Sequence, residues 1–179
     1  AQVGYMVLGI SLVSSAGLTA ALLHLFNHAL MKGTLFLALG CVAYRLGSVR
    51  LGAIAGLGQR MPWTMAAFLV GALSLIGIPL TAGFVSKWYL ILAAVERGWW
   101  PLVVVIIAGS LLAIIYVWRV VEMAYLRPPP EKLSVTEAPL SLLLPTWLLA
   151  GANVYFGIDT HFSVGMARQA AALLTGSNG

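Results

Sequence analysis

Long apolar runs, separated by short basic or glycine- and proline-rich segments, are the feature that most constrains this fold. Several runs approach or exceed the roughly 20 residues that an α-helix needs to cross a bilayer. Hydrophobic residues make up 61% of the 179-residue chain and charged residues only 8%, whereas about a quarter of a soluble domain is charged. A single core of this size cannot hide so much apolar surface from water. The sequence therefore predicts an all-α, polytopic transmembrane helix bundle.

The positive charge of the chain, formally +5, lies between the apolar runs. The basic side chains at these positions are Arg45, Arg50, Arg60, Arg119, Arg127 and Lys132. Membrane loops collect positive charge in this way. Because no Lys/Arg-rich block is interleaved with aromatic residues, we exclude nucleic acid as a partner. The single Cys41 excludes an intramolecular disulfide and a cysteine metal cluster, and we interpret it as a small buried hydrophobe.

The apolar runs divide the chain into predicted helices. Residues 3–13 are expected to be the end of a truncated helix, and spans are predicted at 18–44, 63–78, 102–125 and 140–156. The chain starts without a basic leader or an initiator Met. We therefore expect it to be the later part of something longer.

Residues 84–95 are too short to cross a membrane and too apolar for a loop. The preceding GIPLTAG contains two glycines and a proline, which interrupt a helical backbone. Residues 84–95 either cross separately or form half of a broken helix that residues 102–125 complete. The second arrangement puts the loops of Arg45 and Arg127 on one face, which the positive-inside rule favours. Broken helices mark ion sites, because freed backbone groups need protein or water as partners.

The stretch LLHLFNHALMKGTLFLALG places three ionisable side chains inside an apolar helix. His24, His28 and Lys32 are four residues apart, so each step turns by about 40° and the three follow one stripe about 12 Å long. Ionisable groups at membrane depth cost roughly 2.5–3.5 kcal/mol each on insertion scales, and they mark ion or proton paths. The alternative is that the histidines bond neighbouring helices while Lys32 snorkels, but Lys32 is too deep to snorkel easily. We interpret the three as a proton relay.

Lys87 is the second predicted site, because it lies in the short segment of the broken helix. We assign it to the same relay; the alternative is an interfacial anchor beside Trp88 and Tyr89. The candidate charge partners are Glu96, Arg97, Arg119 and Glu122. The first two are expected to cap the half-helix or to pair with each other. The last two are three residues apart on a helix, and we expect them to pair.

The end of the chain carries a short amphipathic pattern over residues 160–175. Its apolar face comprises Phe162, Met166, Ala170, Leu173 and Leu174. We predict a helix that lies on the membrane or on a partner and does not span. The predicted division is a transmembrane domain over residues 1–157 and a C-terminal amphipathic tail over residues 158–179.

Four segments in order resemble the antiporter-like family, which comprises the D and A subunits of Mrp-type monovalent cation/proton antiporters and the proton-pumping membrane subunits of respiratory complex I. They are GYMVLGI, LLHLFNHALMKGTLFLALG, LGAIAGLGQRMPWT and LSLIGIPLTAGFVSKWYLILAA, within residues 4–125. Of the branches, GLGQRMPWTMAAF and FVSKWYLI resemble the Mrp D subunit most.

The resemblance implies a central hydrated axis of buried Lys, His and Glu side chains. Lys32, His24 and His28 match the family helix that carries a linking Lys and a His, and Lys87 matches the Lys of the second broken helix. Members of the family contain two inverted repeats, each with a broken helix. This chain resembles only the second repeat and the part that follows it, so the resemblance implies the C-terminal part of such a subunit.

The expected function is translocation of protons, either alone or in exchange for Na⁺ or another monovalent cation. The expected setting is a multisubunit complex in the bacterial cell membrane, with other membrane subunits as partners. One alternative is a pumping subunit of an NADH:quinone oxidoreductase, in which electrons flow through other subunits. Another is a scaffold helix bundle that transports nothing. Because the sequence has no GxGxxG, P-loop, HExxH or redox-centre cluster, we assign no catalytic residue, cofactor or metal.

Overall fold

The computed structural model describes residues 2–129 and 135–176, and this part of the chain contains eight α-helices. The helices are α1 (Gln2–Ser11), α2 (Ser15–Leu46), α3 (Leu57–Arg60), α4 (Pro62–Ile76), α5 (Ala82–Glu96), α6 (Trp100–Val121), α7 (Leu140–Ile158) and α8 (His161–Thr175). A 3₁₀ turn precedes α3 at Leu51–Ile54, and a π-helical turn extends α6 over Glu122–Leu126. Lys132 and residues 177–179, which belong to the predicted loop and tail, lie outside the described residues.

The central element of the bundle is α2, against which α1, α4, α5, α7 and α8 all pack. Its buried side chains recur every three or four residues, as one face of a helix requires; they include Ala20, His24, Met31, Ala38 and Cys41. Three helices are long and apolar enough to cross a membrane by themselves: α2, α6 with its π turn, and α7. The all-α membrane bundle is therefore confirmed for the described part of the chain, and Cys41 is buried as predicted.

The loops that follow α2 and α6 meet at one end of the bundle, which we call the basic end. The backbone N–H of Gly56 donates to the carbonyl oxygen of Met123 (3.0 Å). Nearby, the Arg45 Nε donates to the backbone oxygen of Glu137 (2.9 Å). The prediction that the loops of Arg45 and Arg127 lie on the same face is therefore confirmed.

The start of α4 is fixed at the basic end by a carboxylate from outside the helix. No side chain of its own N-cap position accepts a hydrogen bond. Instead, the Glu137 carboxylate accepts from the backbone N–H of Trp63 (2.9 Å) and from the hydroxyl of Thr64 (2.5 Å). A negative group is favourable there because the N–H groups of a first helical turn lack intrahelical partners.

Together, α4 and α5 make one crossing of the bundle. From Trp100, α6 runs the full span back to the basic end. The end of α5 meets the α1–α2 connection at the opposite end, where Arg97 donates to the carbonyl of Val13. Because α4 and α5 have only 15 residues each, both are needed to cover this distance. The prediction that residues 84–95 and 102–125 form two halves of one helix is therefore wrong: the break lies before α5, since the apolar run of α6 is a full span by itself.

The backbone at this break leaves the helical path over residues 77–81. Gly77 ends α4 with φ of 92°, and Leu80 has φ of 71°, a conformation that is costly for a residue with a Cβ. Just beyond, Gly83 packs so tightly that a Cβ there would lie 1.8 Å from the Ser74 carbonyl oxygen. The start of α5 is thus held directly against the end of α4.

The last two helices, α7 and α8, pack one after the other along α2. Phe156 near the end of α7 packs on Phe26 with ring centroids 5.1 Å apart. Val164 of α8 then shares an apolar cluster with Leu23. The junction at Asp159 therefore lies at the level of Phe26, about 16 Å along α2 from its first residue at a rise of 1.5 Å per residue.

The predicted helix in the tail exists, but it packs on α2 through its small side chains. Ser163, Ala167 and Ala171 are buried in this contact, whereas the predicted apolar face is exposed at Phe162, Met166, Leu173 and Leu174. The contact of that exposed face with lipid or with a partner stays a prediction.

The break at residues 77–81 and the α7–α8 junction touch each other at Gly157. A Cβ at this glycine would lie 2.4 Å from the Leu80 carbonyl oxygen, well inside van der Waals contact. The two interruptions of the bundle are therefore packed together at one level, and the contact requires a residue without a side chain.

We expect Gly157→Ala to destabilise the protein by about 1–3 kcal/mol, because the added methyl group overpacks this contact. The measurement is the midpoint of dodecyl sulfate unfolding of the complete subunit in mixed micelles. Gly151→Ala is the matched control on the same helix, since a Cβ at Gly151 has nothing within 4 Å. Equal midpoints for the two variants would contradict this account of the contact.

Candidate functional site

Lys87 lies one turn into α5 and points back towards the end of α4. Its side chain is 5% exposed. The Nζ donates to the carbonyl oxygens of Leu75 (3.0 Å) and Ile76 (2.7 Å) and to the Ser110 hydroxyl (2.9 Å). These two carbonyls belong to the last turn of α4, where the break removes their intrahelical donors. The interruption of the backbone thus creates the binding site of the lysine.

The ammonium group of Lys87 is held without a carboxylate. Among the described residues, the one ion pair joins Arg127 to Glu122. The partial negative charge at the C-terminal end of α4 takes the place of a counter-ion. Neutral acceptors compensate the cost of burying this charge less completely than an anion would.

A cavity of about 200 Å³ adjoins Lys87 and Ser110 between α4, α5 and α6. Its inner walls include Phe84 and Ile106, and its outer rim includes the exposed side chain of Leu111. Apart from Lys87 and Ser110 its lining is largely apolar. Lys87 is therefore next to a space that leads to the outer flank of the bundle.

His24 is the fully buried member of the predicted stripe on α2. Its Nδ1 lies 2.8 Å from the hydroxyl of Ser86, the neighbour of Lys87, and its Nε2 lies 3.1 Å from the side-chain oxygen of Gln2. The His28 ring stacks on the His24 ring at 6.1 Å, and the buried His28 Nε2 has no hydrogen-bond partner among the described residues. The structure thus brings His24 and His28 together and places His24 beside the start of α5.

Lys32 lies further round α2 than the two histidines. Four residues turn a helix by about 40° more than one full turn, so Lys32 is rotated about the helix axis by about 80° from His24. It is half-buried, and its Nζ lies 5.4 Å from the ring centroid of Phe36, which is 66% exposed. Within the described part of the chain, Lys32 makes no hydrogen bond or ion pair, so its link to His28 stays a prediction.

Of the candidate charge partners, Arg97 lies at the predicted cap of the half-helix, whereas Glu122 has a different partner from the one predicted. Glu122 pairs with Arg127 at 2.9 Å, so the expected pair with Arg119 is wrong. The π-helical turn over Glu122–Leu126 explains this, because its i→i+5 bonding pattern brings residues five apart onto one side. Arg97 occupies the C-cap of α5 and forms no ion pair with Glu96 in the described residues.

Four polar or aromatic side chains of the site were missed by the sequence analysis. Tyr5 contacts Lys87 and His24, Ser86 contacts His24, and Ser110 binds Lys87. Asn27 donates to the Ala82 carbonyl (2.6 Å) at the start of α5. The signal for Asn27 was its place between the two histidines, and that for Tyr5 was its motif GYMVLGI. Neither signal says which helix the residue faces.

The fold and the site define a multi-pass membrane protein with a lysine buried at a helix break. Residues 1–113 match the family described as the transmembrane region of NADH:quinone oxidoreductase and Mrp antiporter subunits. This is well over half of the chain, and the protein belongs to that family.

Both branches of the family are represented among the relatives. NADH-quinone oxidoreductase subunit N of Desulforudis audaxviator is 42% identical over 171 residues, which cover 88% of this chain and 34% of the relative. The Na⁺/H⁺ antiporter D subunit of Alkalihalophilus pseudofirmus is 33% identical over 124 residues, covering 69% of this chain and 25% of the relative. The chain thus spans about a quarter to a third of the length of these relatives.

A solved structure has the same arrangement of helices. A chain of the Mrp complex from Dietzia sp. DQ12-45-1b superposes with a TM-score of 0.91 and 26% sequence identity. The match covers 99% of this chain and 41% of the Dietzia chain. The helix bundle around α2 therefore has the fold of part of an Mrp-complex subunit.

We expect Ser86→Ala to destabilise the complete subunit by about 1–3 kcal/mol, because it leaves a buried nitrogen of His24 without its partner. The midpoint of dodecyl sulfate unfolding measures the change. Ser163→Ala is a suitable control, since that buried hydroxyl makes only a 3.4 Å bond to the Thr160 carbonyl. A loss for Ser163→Ala as large as that for Ser86→Ala would contradict a specific contribution of the His24 contact.

Proposed function

We propose that this chain is a proton-translocating part of a membrane subunit in a multisubunit complex. The observation that carries the proposal is the Lys87 ammonium, buried at the break between α4 and α5 with only neutral acceptors. An ionisable group inside a membrane is costly, and a purely structural contact at this place does not need a charge. A lysine that exchanges a proton gives the charge a function.

The proposed path runs from the Lys87 region to His24 and His28 and then to Lys32. Imidazoles take up and release protons near neutral pH, which suits them to the middle of such a path. Proton transfer needs a donor–acceptor distance of roughly 2.6–3.2 Å or one bridging water. The 6.1 Å between the two imidazole rings therefore requires water between successive groups.

The partners we propose are other membrane subunits, the lipid bilayer and protons, with Na⁺ as a second ion if the complex is an antiporter. The relatives support this setting, since one is named as a subunit of a quinone oxidoreductase and another as a subunit of a Na⁺/H⁺ antiporter. The higher identity with the oxidoreductase subunit favours that branch, whereas the sequence motifs favoured the Mrp D subunit. The proposed location is a bacterial cell membrane.

The two branches are separated by what drives the pH gradient. Everted vesicles contain the complete complex and a pH-sensitive dye. In one experiment a pH gradient is first imposed and NaCl is then added, and collapse of this gradient supports cation/proton exchange. In the other experiment an electron donor is added without an imposed gradient, and formation of a gradient supports redox-driven pumping. A complex that passes protons in neither case is a scaffold, and the proposal is then wrong.

We expect Lys87→Ala, made in the complete subunit, to abolish ion-coupled proton transport while the complex still assembles. Lys87→Arg should rescue poorly, because a guanidinium stays protonated at any working pH and cannot pass its proton on. The measurement is the driven pH gradient in the vesicles, with assembly checked by native gel. Near-normal gradients in Lys87→Ala would exclude this role of Lys87.

A graded result is expected along α2. Lys32→Ala should reduce proton transport more than His24→Ala or His28→Ala, because water can replace one imidazole but not the cation at the end of the path. The initial rate of gradient formation measures the order. If Lys32→Ala transports like wild type, the path does not include Lys32.

A further inference from the structure

The Tyr5 side chain contacts both Lys87 and His24. Its ring is 5% exposed. The Lys87 Nζ lies over the ring face, 5.4 Å from the centroid. The His24 ring meets the same ring at a centroid distance of 5.4 Å and an interplanar angle of 87°. One aromatic ring therefore contacts both ionisable groups.

The two contacts differ in their response to charge. A protonated amine is attracted to the face of an aromatic ring, most strongly where water is excluded. A neutral amine lacks this attraction. The ring therefore attracts the ammonium of Lys87 to the position in which it also donates to the carbonyls of Leu75 and Ile76.

The position of the ring is fixed by α6. The Tyr5 hydroxyl donates to the carbonyl of Ile106 (3.3 Å). A Cβ on Gly109 would lie 2.2 Å from the Tyr5 hydroxyl oxygen, so the absence of a side chain at Gly109 leaves space for the phenol. Ala20 and Leu90 complete the buried cluster around the ring. Ser110 of α6, whose hydroxyl accepts from Lys87, also interacts with the Tyr5 hydroxyl. Tyr5 is thus held by α6 and by the buried cluster around its ring.

The hydroxyl of Tyr5 points to the α6 backbone, and so it does not bridge the two ionisable groups. Ser86 does not bridge them either, because its hydroxyl contacts His24 and donates to the Gly83 carbonyl (3.2 Å). Among the described residues, no chain of hydrogen bonds joins Lys87 to His24. The contact that the two groups share is the aromatic ring of Tyr5.

We propose that Tyr5 is a positioning residue that holds protonated Lys87 against the end of α4 and keeps it apart from His24. The proton then passes to His24 only after the Lys87 side chain leaves the ring, which prevents passive return of protons between driven steps. This inference rests on the proposed function of Lys87.

The test uses the complete complex in liposomes that contain pyranine as an internal pH probe. Two rates are measured: the decay of an imposed pH gradient without a driving force, and the formation of a gradient under drive. Tyr5→Leu removes the ring, and we expect a several-fold faster decay with slower driven formation. Tyr5→Phe keeps the ring and should resemble wild type in both rates.

Tyr89→Leu is the control for lost packing, since Tyr89 also packs against the cluster around Tyr5 but its ring contacts Arg168 instead of Lys87. If Tyr5→Leu does not assemble, phenylalanine and its trifluorinated analogue at position 5 replace it. Fluorination weakens the negative face of the ring with little change in shape, so the decay should be faster with the analogue than with phenylalanine. Equal decay for these two rings would overturn the proposal.

The outcomes separate this inference from the function on which it rests. If Lys87→Ala abolishes driven transport but Tyr5→Leu decays at the wild-type rate, the positioning role is wrong and the function of Lys87 stands. If Lys87→Ala transports normally, the proposed function fails first. If Tyr5→Phe is as leaky as Tyr5→Leu, the hydroxyl and not the ring is responsible, and the proposal is overturned.

Discussion

The contact between the Lys87 ammonium and the carbonyl oxygens that end α4 is the interaction on which the site depends. A helix that stops inside a membrane leaves acceptors that water cannot satisfy. Lys87 supplies donors to Leu75 and Ile76, and these carbonyls in turn stabilise a cation that has no anion beside it. The backbone break and the buried charge therefore compensate each other, and neither is favourable alone.

Close packing around the break fixes the positions of the helix ends that form the Lys87 site. Gly83 sits against the Ser74 carbonyl, and Gly157 brings the end of α7 against Leu80, so that the break is clamped from two sides. Asn27 ties the start of α5 to the central helix α2. Because these contacts are backbone or nearly backbone contacts, they fix the level at which Lys87, Tyr5 and His24 meet.

The spacing of the polar residues on α2 shows how a sequence pattern is reshaped by rotation along a helix. On α2, His24 is fully buried, His28 is partly buried, and the half-buried Lys32 contacts the ring of Phe36. The turn of about 40° that remains after each four-residue step places the three side chains in different environments. A stripe of this kind can lead from a buried site to an outer surface.

The amino-acid sequence by itself determined that the protein lies in a membrane and that it is all-α. It also identified Lys32, Lys87, His24 and His28 as ionisable side chains within apolar segments. These follow from local composition and periodicity, because an apolar run of sufficient length has only one way to satisfy its backbone in lipid. Only the tertiary structure decided that α5 forms one crossing with α4 and not with α6. It also decided that Glu122 pairs with Arg127 and that Tyr5 contacts both Lys87 and His24. These depend on which helices pack side by side, and residues far apart in the chain, such as Tyr5 and Lys87, carry no local signal of their contact.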